Sequence, residues 1–230
     1  MADLERFKRQ AAEQALPYIQ NGMTVGLGTG STATHMLHVL AEALRDGRLR
    51  DIVGVPTSDA IGVLARQLGV PIATLDQRPQ LDLALDGADE IDPALNLIKG
   101  LGGALLREKI VESSTDRLII LADTTKLVTQ LGTRAPLPVE VVAFGLPLAM
   151  RRLSALGCVP TLRRRADTTP FRTDEGHVIL DCRFDGIADA AALDTAINAI
   201  PGVVEHGLFV GMAVLALVAG PDGVRTMTMI

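Results

Sequence analysis

Four short segments of this chain carry side chains of the types that bind an anion or move a proton. The first, residues 26–32 (GLGTGST), places glycines and hydroxyls after an apolar run. Glycines let the backbone approach a ligand closely, and free N–H groups at a helix start suit a phosphate. A tight turn in which Ser or Thr caps the next helix is the alternative. Neither a dinucleotide-binding fingerprint nor a Gly-Lys-Ser/Thr phosphate loop fits the segment.

The second segment, residues 86–92 (DGADEID), holds four carboxylates within seven residues. Asp86 and Asp89 are expected at the end of an apolar strand, facing a cleft. Clustered carboxylates can share protons, because one charge raises the pKa of its neighbour. They can also bind Mg²⁺, or they can form a solvated acidic loop. The spacing alone leaves these three interpretations open.

The third segment, residues 99–109 (KGLGGALLREK), is a glycine-rich turn that runs into a helix. Its backbone amides and Lys99 could hold developing negative charge. Glu108 lies in an otherwise apolar turn, where partial burial raises the pKa of a carboxyl, as a general base near neutral pH requires. The alternative is a surface charge of the helix, between Arg107 and Lys109.

The fourth segment, residues 122–126 (ADTTK), follows another apolar strand. Lys126 is expected at the same strand-end cleft, where it could pair with a phosphate. The alternative is a solvated helix start capped by Asp123.

The remaining polar candidates indicate structure rather than chemistry. His35 and His38 are three residues apart on one predicted helix and lack a third ligand nearby, so we expect helix-surface histidines. His177 and His206 lie in predicted strands. Residues 163–165 (RRR) are interpreted as a charged strand end at an exposed edge or a subunit contact.

Strands and helices must alternate to position the four segments. Apolar strands are predicted at 23–27, 51–55, 70–75, 81–85 and 117–122, and helices at 8–19, about 32–44, 58–69 and 102–114. This alternation predicts a parallel sheet covered on both faces. Such sheets bind ligands beyond the carboxyl ends of their strands, where the four segments lie.

The second half of the chain has a different order. Strands are predicted at 139–144, 159–165, 177–184 and 203–210, and helices at 147–156 and 188–200. This β-α-β-β-α-β order is the ferredoxin-like pattern. Strands at 212–218 and 224–229 are expected to rejoin the first sheet. We therefore predict an α/β fold with a Rossmann-like parallel-sheet domain (1–132 plus 208–230) and an inserted ferredoxin-like α+β domain (133–207).

Composition and charge narrow the classes of protein further. The 230 residues are 48% hydrophobic and only 3% aromatic, which excludes disorder and predicts an aliphatic core. A net charge of −5 and few aromatic rings argue against a nucleic-acid partner. The longest uncharged apolar stretch, 207–220, is too short to span a bilayer, so we expect no membrane partner.

The N-terminus and the cysteines bear on the compartment. The first residues, MADLERFKRQAAEQ, predict a polar helix without the apolar stretch of a secretory signal. Cys158 and Cys182 are too few for a disulfide framework or a four-cysteine zinc site, and they predict two buried thiols. We therefore expect a cytoplasmic protein.

Taken together and in this order, the segments resemble ribose-5-phosphate isomerases of the A type. DGADE followed by KGxGGxLxREK is the most specific part of a resemblance that spans nearly the whole chain. The matching motifs are GTGSTA (28–33), TSDA (57–60), DGADEID (86–92), KGLGGALLREK (99–109), ADTTK (122–126), LPVEV (137–141) and NAIPGVVEHGLF (198–209). The resemblance implies interconversion of D-ribose 5-phosphate and D-ribulose 5-phosphate through an enediol(ate), without metal or organic cofactor, in the non-oxidative pentose phosphate pathway.

The resemblance also implies a role for each site residue. Glu108 is the proton acceptor between C2 and C1, and Asp86 serves ring opening and proton transfer between the oxygens, with Asp89 beside it. Lys99 stabilises the enediolate together with the following loop, where some relatives carry a further glycine in place of Leu101. The implied substrate-binding residues are Thr29, Gly30, Ser31, Thr32, Asp86, Gly87, Ala88, Asp89, Lys99, Gly100, Leu101, Gly102, Lys126 and Lys8.

Two other functions compete with the isomerase. A non-catalytic sugar-phosphate sensor of related fold usually carries a helix-turn-helix module, and none is readable before the first strand. A coenzyme-A transferase lacks support, because no catalytic glutamate motif of that kind is evident. The resemblance implies a dimer or tetramer, and we predict a homodimer that binds a small sugar phosphate.

Overall fold

The computed structural model describes residues 2–228 as two compact units. Unit 1 contains the described residues through Ala88, Arg107–Lys126, and the described residues from Gly211 onward. Unit 2 contains Asp89–Leu106 and Leu127–Val210. No helix within these residues is both long and apolar enough to cross a membrane.

The described part of the chain forms thirteen strands and six α-helices, numbered here in chain order. Strands β1 to β13 cover Thr24–Leu27, Val53–Pro56, Leu83–Asp86, Glu90–Ile91, Leu97–Ile98, Leu118–Asp123, Leu137–Val141, Val159–Leu162, Val178–Arg183, Val203–His206, Leu208–Phe209, Ala213–Gly220 and Gly223–Thr228. Helices α1 to α6 cover Ala2–Ala15, Ser31–Arg45, Asp59–Gln67, Leu105–Glu112, Leu146–Ala155 and Ala190–Asn198. Short 3₁₀ turns cover Leu16–Tyr18, Thr124–Lys126 and Ala143–Gly145.

Unit 1 is built on a six-stranded sheet of order β13-β12-β6-β3-β1-β2. All neighbours pair in parallel except β13, which runs antiparallel to β12 at the edge. The strands are short and aliphatic because both faces are covered, as in other parallel sheets. The ends of β1, β3 and β6 are therefore adjacent, and they lead directly into three of the four predicted segments.

The helices of unit 1 follow from their patterning and caps. Met36, Leu37 and Leu40 of α2 repeat at helical spacing and are almost fully buried. Burying each such side chain contributes about 1.5–3 kcal/mol of transfer free energy. Helix α3 begins where the Ser58 hydroxyl accepts a hydrogen bond from the Ile61 N–H at 3.3 Å.

Unit 2 contains an antiparallel sheet of order β10-β7-β9-β8. With α5 between β7 and β8, and α6 between β9 and β10, this is the ferredoxin-like order. A second, three-stranded sheet of order β11-β5-β4 shares its buried core, because Ile98 and Leu208 pack in the same apolar cluster. Cys158 and Cys182 are both buried free thiols of this unit, as predicted.

The structure confirms the predicted fold class and corrects several elements. The strand predicted at 70–75 is reduced to a single bridge between Ile72 and Gly54, in a stretch where Pro71 lacks an N–H to donate. The predicted helix 102–114 is shorter, since α4 covers Leu105–Glu112. The two-residue strands β4 and β5 were not predicted, because so short a pairing leaves no periodicity to detect.

The boundaries of the units differ from the predicted domains at three segments. Residues 89–106, 127–132 and 208–210 were assigned to the parallel-sheet domain, but they group with unit 2. For the first and last of these segments the reason is that β5 pairs with both β4 and β11. The returning strands β12 and β13 join the first sheet, as expected.

Candidate active site

The glycine-rich loop after β1 is shaped by its contact with the end of β3. The Gly28 N–H donates to the Leu85 carbonyl at 3.0 Å. A Cβ at Gly28 would lie 2.0 Å from Cγ of Asp86, so only glycine fits beside this carboxylate. Asp86 is fully buried, and its Oδ1 accepts the N–H of Gly87 at 2.6 Å.

A network of hydroxyl groups fixes the same loop from the neighbouring strand. The Oγ1 atoms of Thr29 and Thr57 are 2.7 Å apart, and the Thr29 hydroxyl donates to Ser58 Oγ at 2.8 Å. Thr57 and Ser58 are buried and follow β2 directly. The TSDA motif therefore supports the loop and also caps α3, a positioning role that the sequence did not assign to Thr57 and Ser58 individually.

The start of α2 has no side-chain cap. Its N-cap is Gly30, at a φ of 114°, and the glycine supplies no side-chain cap hydrogen bond. The interpretation that Ser or Thr caps this helix is therefore wrong. Gly30 and Ser31 are exposed, whereas Thr32 is buried and lies against Gly87. The first-turn amides of a helix carry partial positive charge, and here no cap side chain covers them.

Glu108 lies on α4 with its side chain only 3% exposed. The interpretation of Glu108 as a surface charge is therefore wrong. Its neighbour Arg107 faces outward, where Nη1 pairs with Asp59 Oδ1 of α3 at 2.7 Å. One turn later Glu112 is also buried. The sequence analysis missed Glu112, although its spacing of four residues from Glu108 places both carboxylates on one face of the helix.

Lys126 ends a 3₁₀ turn that follows β6. The buried Asp123 carboxylate caps this turn, because its Oδ1 accepts both the N–H and the hydroxyl of Thr125. The capping predicted for Asp123 is therefore observed, and it leaves the half-buried Lys126 at the end of a fixed turn.

Lys8 lies on α1, where its ammonium pairs with Glu5 Oε1 at 2.5 Å. The other carboxylate oxygen of Glu5 is 2.8 Å from His35 Nε2. The Lys8 ammonium and then His35 lower the pKa of the Glu5 carboxyl to about 2. The charge of Lys8 is thus paired with a carboxylate of its own helix, and its place among the substrate-binding residues stays a prediction.

Unit 2 carries Lys99 and the loop that follows it. The Lys99 N–H donates to the Gly207 carbonyl at 2.9 Å, and the side chain is almost fully buried. Its Nζ lies 5.3 Å from the ring centroid of Phe209, within the range of a cation–π contact. A Cβ at Gly207 would lie 2.1 Å from the Lys99 carbonyl oxygen, so glycine is required beside it.

Asp89 supports the same loop. Its N–H donates to the Ile98 carbonyl at 2.8 Å, and its Oδ2 accepts the N–H of Leu101 at 2.9 Å. Asp89 therefore holds this loop through the backbone N–H of Leu101. The Leu101 side chain is exposed.

The other two carboxylates of residues 86–92 organise backbone. Glu90 is buried and accepts three N–H groups, from Gly132 at 2.6 Å, Arg134 at 2.7 Å and Ala135 at 2.6 Å. Asp92 accepts the N–H groups of Ala94 and Asn96. The interpretation of the whole segment as a solvated acidic loop is therefore wrong. In residues 2–228, no group of three or more His, Cys, Asp or Glu is arranged to hold a metal ion.

The candidate residues are thus distributed over both units. Unit 1 brings together the loop of Thr29 to Thr32, the turn after β3, and the ends of β1 and β3. It also holds Glu108, Lys126 and Lys8, whereas unit 2 holds Asp89 and the loop from Lys99 to Gly102. This is the architecture of an α/β enzyme with polar groups placed at the carboxyl ends of its strands.

Comparison with known proteins identifies the family. The model of ribose 5-phosphate isomerase A (phosphoriboisomerase A) matches residues 53–223. A ribose-5-phosphate isomerase A of Roseiflexus sp. (strain RS-1) is 63% identical over 218 residues, covering 95% of this chain and 94% of the relative. That of Synechococcus sp. (strain JA-3-3Ab) is 53% identical over 228 residues, covering 99% of both.

Solved structures agree with the sequence relatives. The ribose 5-phosphate isomerase of Plasmodium falciparum superposes with a TM-score of 0.94 at 41% identity, covering 98% of this chain and 99% of that one. A D-ribose-5-phosphate isomerase in complex with phospho-erythronic acid gives a TM-score of 0.95 at 40% identity, with the same coverage. The chain therefore belongs to the ribose-5-phosphate isomerase A family and is an isomerase; a non-catalytic sensor is not favoured.

Proposed function

We propose that this isomerase interconverts D-ribose 5-phosphate and D-ribulose 5-phosphate through an enediol(ate). The observation that carries the proposal is the burial of Glu108 on α4, in a chain of this family. The reaction moves one proton between C2 and C1 and another between the two oxygens. It therefore needs a positioned base and a site for a developing oxyanion.

Glu108 is the proposed base. In the direction of the ketose, its carboxylate takes the proton from C2, and the electron pair forms the C1–C2 double bond of the enediolate. The carboxylic acid then returns the proton to C1. Burial supports this role, because it keeps the carboxylate out of bulk water and fixes it within the fold.

Asp86 is proposed to serve ring opening and proton transfer between the C1 and C2 oxygens. The fully buried carboxylate is held between the Gly28 loop and the Gly87 N–H, so its position is defined before substrate binds. Asp89 is proposed to assist Asp86 in these steps. Its observed hydrogen bond to the Leu101 N–H gives it a second task, which is to orient the loop.

Lys99 and the backbone of Gly100 to Gly102 are proposed to stabilise the enediolate. The ammonium supplies a full positive charge, and the amides supply fixed dipoles. Burial of Lys99 supports the proposal, because a charge in a water-poor site acts more strongly than one in bulk water.

The phosphate is proposed to bind at the open start of α2, through the amides and hydroxyls of Thr29 to Thr32, together with Gly87, Ala88 and Lys126. Lys8 is proposed to contribute from α1. These groups also explain how an acidic chain binds an anion, since helix N-termini and lysines create a local positive field whatever the net charge.

The proposal is tested by incubating the protein with ribose 5-phosphate and measuring the appearance of ketose. Glu108→Gln should abolish turnover while ribose 5-phosphate still binds, because the amide cannot accept the proton. Glu112→Gln is the matched control, a second buried carboxylate on the same helix face, and it should retain turnover. Near-normal kcat in Glu108→Gln, or binding without turnover in the wild type, contradicts the proposal.

We propose that the reaction needs no metal ion or organic cofactor. Activity should therefore survive dialysis against EDTA. A complete loss that Mg²⁺ restores would favour a metal at Asp86 and Asp89 instead.

We also propose a homodimer that functions in the cytoplasm. The two buried free thiols support a reducing compartment, since oxidising compartments favour disulfides. Sedimentation equilibrium should give a mass near twice the 24.3 kDa of one chain. A mass of one or four chains contradicts the dimer.

A further inference from the structure

Arg163 makes a four-way contact that its place in the sequence does not suggest. It follows β8, an edge strand, yet its side chain is only 12% exposed. Its Nε and Nη2 donate to the two carboxylate oxygens of Asp181, at 3.0 and 2.5 Å. Its Nη1 is 3.0 Å from both the Gly100 and the Leu101 carbonyl oxygens. The interpretation of Arg163 as part of an exposed edge is therefore wrong, and its interpretation as part of a subunit contact stays a prediction.

The guanidinium is held rigidly while it makes these contacts. The carboxylate of Asp181 binds it in the bidentate geometry that arginine, and not lysine, provides. The ring of Phe171 lies 5.8 Å from Cζ of Arg163, and the Phe171 N–H donates to the Arg163 carbonyl. Phe171 in turn packs against Gly103, where an added Cβ would lie 2.5 Å from the ring. Both ends of the glycine loop are thus tied to one cluster within unit 2.

The two carbonyl groups matter because each belongs to a peptide group that also contains an N–H. The Gly100 carbonyl shares its amide with the Leu101 N–H, and the Leu101 carbonyl shares its amide with the Gly102 N–H. A positive charge on a carbonyl oxygen polarises the amide and makes its N–H a stronger donor. The Leu101 N–H is the group that donates to Asp89 Oδ2 at 2.9 Å.

We propose that Arg163 is a positioning residue for the isomerase reaction. It sets the orientation of the loop from Gly100 to Gly102, and it strengthens the Leu101 N–H as a donor to Asp89 and the Gly102 N–H as a donor to the enediolate. Arg163 acts through the loop and does not itself touch the sugar. The inference rests on the proposed function, in which this loop stabilises the enediolate.

The prediction separates kcat from KM. Losing one direct oxyanion donor lowers kcat by about 10²–10³-fold, so weakening the Gly102 donor indirectly and loosening the contact between Leu101 and Asp89 should lower kcat by about 10–100-fold. The variant leaves the residues proposed to bind the phosphate unchanged, so KM should change little. Arg163→Gln is the primary variant, and Arg164→Gln is the matched control, because Arg164 is exposed and its Nη1 donates to the Thr168 carbonyl at 2.6 Å.

Two further measurements distinguish positioning from a merely structural role. Arg163→Lys keeps the positive charge but lacks the planar guanidinium that binds both oxygens of Asp181, so its kcat should lie between those of the wild type and Arg163→Gln. In Arg163→Ala, added methylguanidinium should restore part of kcat, and the ¹⁵N-resolved Leu101 amide proton should shift back downfield. These readouts also remain informative if Arg163→Gln folds poorly.

The outcomes separate this inference from the proposed function. Wild-type kcat in Arg163→Gln or Arg163→Lys, together with an inactive Glu108→Gln, overturns the role of Arg163 and leaves the reaction assignment intact. Turnover in Glu108→Gln overturns the proposed function, whatever Arg163 does. An equal loss of activity in Arg164→Gln also overturns the inference, because the effect then reflects charge at the edge strand and not the contact with the loop.

Discussion

Glu90 gives the sharpest test of how the carboxylate-rich segment is built. In Glu90→Ala, the N–H groups of Gly132, Arg134 and Ala135 lose their acceptor. Arg134 is exposed and can bond water, whereas Gly132 and Ala135 are buried. A buried unsatisfied donor costs about 1–3 kcal/mol, so two of them should lower the free energy of unfolding of unit 2 by about 2–6 kcal/mol.

Glu90→Gln should have a smaller effect. Its amide oxygen can keep the position of Oε1, which accepts from Arg134 and Ala135, but its NH₂ then faces the Gly132 N–H. One buried donor loses its partner, which should cost about 1–3 kcal/mol. Natural domains have only about 5–15 kcal/mol of total stability, so both effects are large enough to measure.

The assay is urea unfolding combined with hydrogen exchange of the Gly132 and Ala135 amides. Exchange at these two amides should accelerate most in Glu90→Ala, because their opening reports the loop directly. Glu13→Ala is the control, since Glu13 is exposed and a surface change is usually within about 0.5 kcal/mol. A destabilisation below about 1 kcal/mol in Glu90→Ala, with unchanged exchange, would refute the reasoning from buried donors.

Three further results are expected. Gly28→Ala should lower the free energy of unfolding by about 1–3 kcal/mol and remove most activity, because the added Cβ would displace the Asp86 carboxylate. Calorimetry and measurement of kcat test this prediction, and wild-type values of both contradict it. Fluorinated phenylalanines at position 209 keep the shape of the ring but weaken the negative charge of its face. If the ring stabilises the Lys99 ammonium, kcat should fall with each added fluorine, by up to about tenfold. The same kcat in all fluorinated variants contradicts the contact. Burial raises the pKa of Glu140 despite hydrogen bonds from Thr173 and His177, so its stabilising contribution is present at low pH and is lost as pH rises through that raised pKa. Glu140→Gln should therefore lose less stability than the wild type as pH rises from about 4.5 to about 7, measured by urea unfolding, and parallel curves contradict this.

Much of the candidate site could be predicted from the sequence because its parts are local. Gly28, Asp86 and Lys126 each lie at or just after the end of an apolar strand, and parallel pairing of β1, β3 and β6 brings these positions to one edge of a sheet. The ferredoxin-like order was predictable for the same reason, since each strand and helix carries its own periodicity. Glu108 was recognisable as a carboxylate in an apolar turn, although periodicity alone left its burial open.

Other features depend on contacts between residues far apart in the chain. Arg163 reaches the Gly100 carbonyl across 63 residues, and Glu90 reaches Ala135 across 45. Lys99 meets the ring of Phe209 only because β5 pairs with β11. Such pairings leave no periodic signal near either partner, so the sequence alone could not indicate them.

The sequence by itself thus determined the order of the longer elements, the aliphatic core and the chemistry available at most strand ends. Only the tertiary structure decided which charges are buried and what they bind. Within residues 86–92, it separated a buried Asp86 and a loop-binding Asp89 from a Glu90 that holds three backbone amides. The physical reason is that hydrogen-bond partners and burial depend on three-dimensional packing, whereas residue type and local spacing depend only on the chain.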